Sequence, residues 1–132
     1  MSFATIAVIG AGISGNKVTD LENRLGKDVI DKKPTIVVIY IGINDVWHWA
    51  LAGHQGTTEA EFERRLREII ARIRYSGAEV VLCTPSVIGE KFDGTNSQDP
   101  VLERYCTIGR TIAVDQGIRL GVMIGKHHDN VF

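Results

Sequence analysis

Apolar residues follow two spacings along this chain. Mostly apolar runs without helical spacing occupy residues 3–9, 35–42, 78–85 and 118–124. Such runs suit strands buried on both faces. "TIVVIYIG", residues 35–42, is the strongest of them: β-branched, uncharged and introduced by Pro34. Between the runs the spacing turns helical. Val18, Leu21 and Leu25 form one stripe within residues 16–25, with Gly26 as the expected stop. Phe62, Leu66, Ile69, Ile70 and Ile73 form a second stripe, opened by the capping box Thr58-Glu59-Ala60-Glu61 and ended by Gly77. Leu102, Tyr105, Ile108 and Ile112 form a weaker third over residues 101–116, ended by Gly117. The order strand, helix, strand, helix, strand, helix, strand predicts an α/β fold. Its parallel, flavodoxin-like sheet lies between helical layers in a three-layer α/β/α sandwich. Residues 1–132 read as one domain, without repeats or low-complexity segments.

In a parallel sheet, ligands bind where the strands end at their carboxyl edge. Three loops qualify: Gly10–Gly15, Gly42–Thr57 and Thr84–Pro100. The first contains Gly10-Ala11-Gly12-Ile13-Ser14-Gly15, a G-x-G-x-x-G match directly after an apolar run. That motif opens a nucleotide-binding oxidoreductase fold when an acid closes the second strand about 20 residues later. Here the next strand ends near Ile41 and the following acid is Asp45, 30 residues after Gly15. The helix also opens on Asn16-Lys17, where small apolar residues are expected. The spacing argues against a dinucleotide.

The second loop reads differently. Gly42-Ile43-Asn44-Asp45 follows the central run, and "GISGN" lies one unit earlier. This pairing resembles the SGNH hydrolases, the GDSL esterase/lipase family, over about residues 8–117. The resemblance implies an SGNH fold and hydrolysis of carboxylic esters, with acetylated carbohydrate as one substrate class and no metal or cofactor. It assigns the backbone N–H of Gly15 and the side chain of Asn44 to an oxyanion hole, with Gly42 and Asp45 supporting. The chemistry fits. A tetrahedral intermediate develops a negative oxygen that pre-placed donors stabilise. Glycine lets backbone approach closely, and an asparagine amide donates without titrating. Asn44-Asp45 also suits a turn or helix cap. Trp47, His48 and Trp49 suit an acyl pocket or partly buried packing equally well. Tyr40 reads as core.

Two blocks of the family pattern are missing. The chain contains no Gly-Asp-Ser nucleophile block, and its closing stretch "GKHHDNVF" has no Asp-x-x-His block; there His127 and His128 precede Asp129 instead. Ser14, Ser86, His48 and His54 lie in edge loops but match neither block, and a serine without a paired base is an ordinary hydroxyl. The expectation is a domain incomplete at both ends, lacking a first strand and a last helix. It would hydrolyse esters weakly or not at all, and would self-associate through uncovered sheet. A non-catalytic α/β domain binding a small ligand or partner at the same edge is the rival reading.

Composition narrows the rest. A net charge of −1 gives no footprint for nucleic acid or anionic membrane. Arg64, Arg65, Arg67, Arg72 and Arg74 read as the solvated face of their helix. Two cysteines, Cys83 and Cys106, make no disulfide framework and have no metal-ligand spacing; Cys83 reads as core. No apolar run reaches membrane-span length, and the N-terminus lacks the basic stretch of a signal peptide, leaving localisation open.

Overall fold

A computed structural model describes residues 5–48, 56–85 and 99–122. Three strands form one parallel sheet: β1 (Ile36–Tyr40), β2 (Glu79–Thr84) and β3 (Arg119–Val122), in the order β1-β2-β3. Val37 lies opposite Val80 and Ile39 opposite Leu82; Leu82 in turn lies opposite Leu120. Helix α1 (Val18–Asp28) precedes β1, and a short helix α2 (Ile43–Trp47) follows it. Helices α3 (Glu59–Tyr75) and α4 (Asp99–Gln116) cross from β1 to β2 and from β2 to β3. Strand order matches chain order, so two right-handed crossovers place α3 and α4 on the same side of the sheet.

The core forms there. Leu21 and Leu25 of α1, the Phe62–Ile73 stripe of α3, and Leu102 and Ile112 of α4 bury against Val37, Ile39, Val80 and Leu82. Every residue of the α3 stripe is at most 2% exposed, as its spacing requires. The N-cap half of the predicted capping box is present: Thr58 Oγ1 accepts from the Glu61 N–H at 3.3 Å, while the Glu61 carboxylate turns to Arg64 and Arg65. Gly109 brings α4 close to β2, since a Cβ there would meet Thr84 Cγ2 at 3.4 Å. The α3 arginines point away from the core. Arg64 and Arg65 both pair with Glu61, Arg65 also reaches Glu22, and Arg67 pairs with Asp115.

Two details depart from the sequence pattern. Gly26 does not stop α1, which continues to Asp28; a glycine inside a helix costs only about 1 kcal/mol, less than the packing around it supplies. Residues 5–9 carry strand-like side chains but form no strand, and Ile6 and Val8 are almost fully exposed. A strand exists only through the edge it pairs with, and these residues meet none among the described residues. On the sheet face opposite the helices, Ile36 and Val38 are 56% and 37% exposed.

Candidate active site

The carboxyl edge of β1 turns sharply at Gly42, whose φ of 121° is a conformation that L side chains rarely adopt. A Cβ there would also press on Phe62 at 3.4 Å. The turn opens α2, so Asn44 and Asp45 fall in its first turn, 3% and 0% exposed. A second turn, Ser14–Gly15, lies ahead of α1, with Gly15 at φ 84° and open space where its Cβ would stand.

Side chains from the β1 turn bind the two together. Asn44 Nδ2 donates to the Asn16 carbonyl at 3.2 Å. The Asp45 carboxylate accepts the Val18 N–H, at 3.1 Å for Oδ1 and 3.3 Å for Oδ2. The Thr57 N–H donates to the Asp45 carbonyl at 3.1 Å, and the Thr57 hydroxyl also bonds the carboxyl group. Buried acceptors and donors are thereby matched, as a buried polar cluster must be. Burial raises the Asp45 pKa to about 6, against the opposing pull of Thr57, the Val18 N–H and the Lys17 charge.

Gly15, Gly42, Asn44 and Asp45 therefore meet at one edge. Trp47 and His48 continue the same short helix. Trp47 is half-buried and packs against the core; His48 is half-buried too, and desolvation holds its pKa below the usual imidazole value, with Lys17 adding to the effect. Trp49, His54, Ser86, His127, His128 and Asp129 lie outside the described residues. Tyr40 is core, 2% exposed. Cys83 is buried beside Gly121, and Cys106 is buried with its Sγ on the Pro85 carbonyl at 3.0 Å.

Asn16, Val18, Thr57 and Arg24 complete the site, and sequence reasoning missed them. Arg24 donates to Asn16 Oδ1 at 2.8 Å and to the Ala11 carbonyl, holding the chain before α1. Only Asn16, next to Gly15, carried a local signal. The dinucleotide reading loses its anion site: the first N–H of α1, where a pyrophosphate would be received, is taken by Asp45. Among the described residues, no three His, Cys, Asp or Glu side chains gather as metal ligands would, and no helix is long and apolar enough to cross a membrane.

Comparison with known proteins places this architecture. Residues 2–123 match the GDSL-like lipase/acylhydrolase family, and the chain belongs to that family. An acetylxylan esterase of Geobacillus stearothermophilus is 36% identical over 110 residues, covering 81% of this chain and 48% of that protein. The crystal structure of the acetyl xylan esterase AlAXEase superimposes with a TM-score of 0.78 at 41% identity, over 82% of this chain and 54% of that one. The G. stearothermophilus acetylxylan esterase Axe2 gives 0.71 at 30% identity, over 82% and 50%. This chain thus spans about half the length of the relatives it matches.

Proposed function

We propose that this chain carries the oxyanion-binding half of an SGNH carboxylic-ester hydrolase, with an acetyl group on carbohydrate as the ester class. The observation that supports this most directly is the Asn44–Asn16 hydrogen bond. It sets the Asn44 amide against the turn that holds the Gly15 N–H. Both are neutral donors on a sheet edge, and the surrounding fold is that of acetylxylan esterases. When a nucleophile adds to an ester carbonyl, the π electrons move onto the carbonyl oxygen. Gly15 N–H and Asn44 Nδ2 donate to that oxygen, and collapse of the intermediate expels the alcohol. Asp45 acts as a positioning residue through Val18 and Thr57. Gly42 supplies the turn that aims Asn44. The half-buried Trp47 and His48 border the acyl side.

The sequence has no Gly-Asp-Ser, so this reading assigns no nucleophile to the chain. An unactivated serine hydroxyl is a weak nucleophile. Treating the folded chain with a fluorophosphonate and measuring intact mass is expected to give no stoichiometric adduct. An adduct would show an activated serine and overturn this part of the reading. Residual turnover of p-nitrophenyl acetate is expected to fall about 100- to 1000-fold in Asn44→Ala, the usual cost of one lost oxyanion donor. Turnover indifferent to Asn44 would leave the edge a binding site without catalytic donors.

A further inference from the structure

Tyr105 lies in the apolar stripe of α4, 4% exposed, and its ring packs tilted against Phe62 with centroids 5.1 Å apart. A phenylalanine would fill that place as well. The hydroxyl is the informative part, because a buried hydroxyl costs stability unless it is bonded. It donates to the Thr57 carbonyl, 48 residues earlier in the chain. Thr57 is buried too, and it grips Asp45 twice. Its N–H donates to the Asp45 carbonyl at 3.1 Å, and its hydroxyl bonds the carboxyl group. Asp45 in turn accepts the Val18 N–H at 3.1 Å. Val18 opens α1, two residues after the Asn16 carbonyl to which Asn44 donates. The ring makes a second approach. Phe62, on which it packs, stands 3.4 Å from where a Cβ on Gly42 would lie. One side chain of α4 therefore bears on both flanks of Asn44: on Gly42 through Phe62, and on Asp45 through Thr57.

We infer that Tyr105 is a positioning residue for the oxyanion donor Asn44, its hydroxyl fixing the α2 turn through Thr57 and Asp45. The inference rests on the proposed role of Asn44. Two physical points carry it. Helix α2 has five residues, too few to hold a helical shape by themselves. Its geometry, and with it the aim of Asn44, is set by what clamps it. The clamps also run in series, from Tyr105 to Thr57 to Asp45 to Val18. Removing the first leaves the Thr57 carbonyl buried without that donor, which costs more than the bond itself contributed. Relief comes by movement of the 57 segment, and Asp45 is the next group it holds.

Tyr105→Phe keeps the ring and removes the hydroxyl. Hydrogen exchange on the intact chain, followed by NMR, reads the effect at the Asn44 side-chain amide and the Val18 N–H. Both are expected to exchange about fivefold to tenfold faster, the scale of one buried hydrogen bond. Thr57→Val breaks the next link, covers the case in which Tyr105→Phe does not fold, and is expected to free the same two groups. Ile112→Val trims the core side of the same helix and is expected to leave them unchanged relative to the rest of the core. Unchanged exchange at Asn44 in either folded variant, or equal acceleration by Ile112→Val, would overturn the inference. This measurement needs no ester turnover. Residual p-nitrophenyl acetate turnover supplies the second readout. Tyr105→Phe is expected to lower kcat about fivefold at unchanged KM, the mark of an interaction made in the transition state. In an Asn44→Ala background it is expected to cost nothing further, because both changes remove one interaction. A further fall there would show that Tyr105 acts elsewhere and would overturn the inference. Freed amides with turnover indifferent to Asn44→Ala would instead sink the ester-hydrolase reading, and Tyr105 would remain the clamp of α2 alone.

Discussion

Asp45 combines two roles that pull against each other. Its carboxyl is fully buried and accepts the Val18 N–H, and burial lifts its pKa to about 6. In the unfolded chain an aspartate titrates near 3.9. A folded pKa above the unfolded one means that protonation favours the fold. The contribution is fully present below about pH 4 and is lost as pH rises through about 6. The loss is on the order of 2–3 kcal/mol. Urea unfolding at stepped pH is expected to show this decline across pH 4–6, and Asp45→Asn to flatten it. A wild-type curve rising over that window would contradict the burial argument. The two glycines differ in kind. Gly42→Ala meets both a strained φ and the Phe62 ring; Gly15→Ala meets strain alone. Strain of this sort costs about 1–3 kcal/mol. Denaturant midpoints are therefore expected to fall for both, and further for Gly42→Ala.

Elements were legible wherever local pattern and tertiary demand agreed. The α3 stripe and its Thr58 cap could be read directly because helical spacing and capping are local facts. Replacing Thr58 with alanine is expected to cost about 1 kcal/mol, seen as a fall in Tm of a few degrees. The β1 run was equally clear. Residues 5–9 form no strand because side-chain preference says nothing about whether an edge is present to pair with. Gly26 was misread because packing of Leu21 and Leu25 outweighs a glycine's propensity. At the candidate site, Gly15, Gly42, Asn44 and Asp45 announced themselves as motifs. Their partners did not: Asn44 reaches back 28 residues to Asn16, and Asp45 reaches 27 to Val18. No local signal encodes such a contact.

At the scale of the whole molecule, the sheet is covered by helices where its core lies, and β1 pairs on one side only among the described residues. The two thiols report on the covered part. Both are buried, and burial raises Cys83 and lifts Cys106 to about 11. Thiolate is the reactive form, so at pH 7.5 iodoacetamide is expected to alkylate neither cysteine faster than the domain opens. Rates that rise with urea in step with unfolding would fit this; rapid labelling of the native chain would mean that the β2–α4 layer is looser than described.

Strand order that repeats chain order has a consequence for synthesis. Each pairing in this sheet joins a strand to the next one made, and the Asn44 and Asp45 clamps close on residues already made. Nothing up to Thr84 needs a later strand to find its place. A nascent chain can therefore settle α1, β1, α3 and β2 as they leave the ribosome, adding α4 and β3 afterwards. The β1 margin would be the first apolar edge to be exposed.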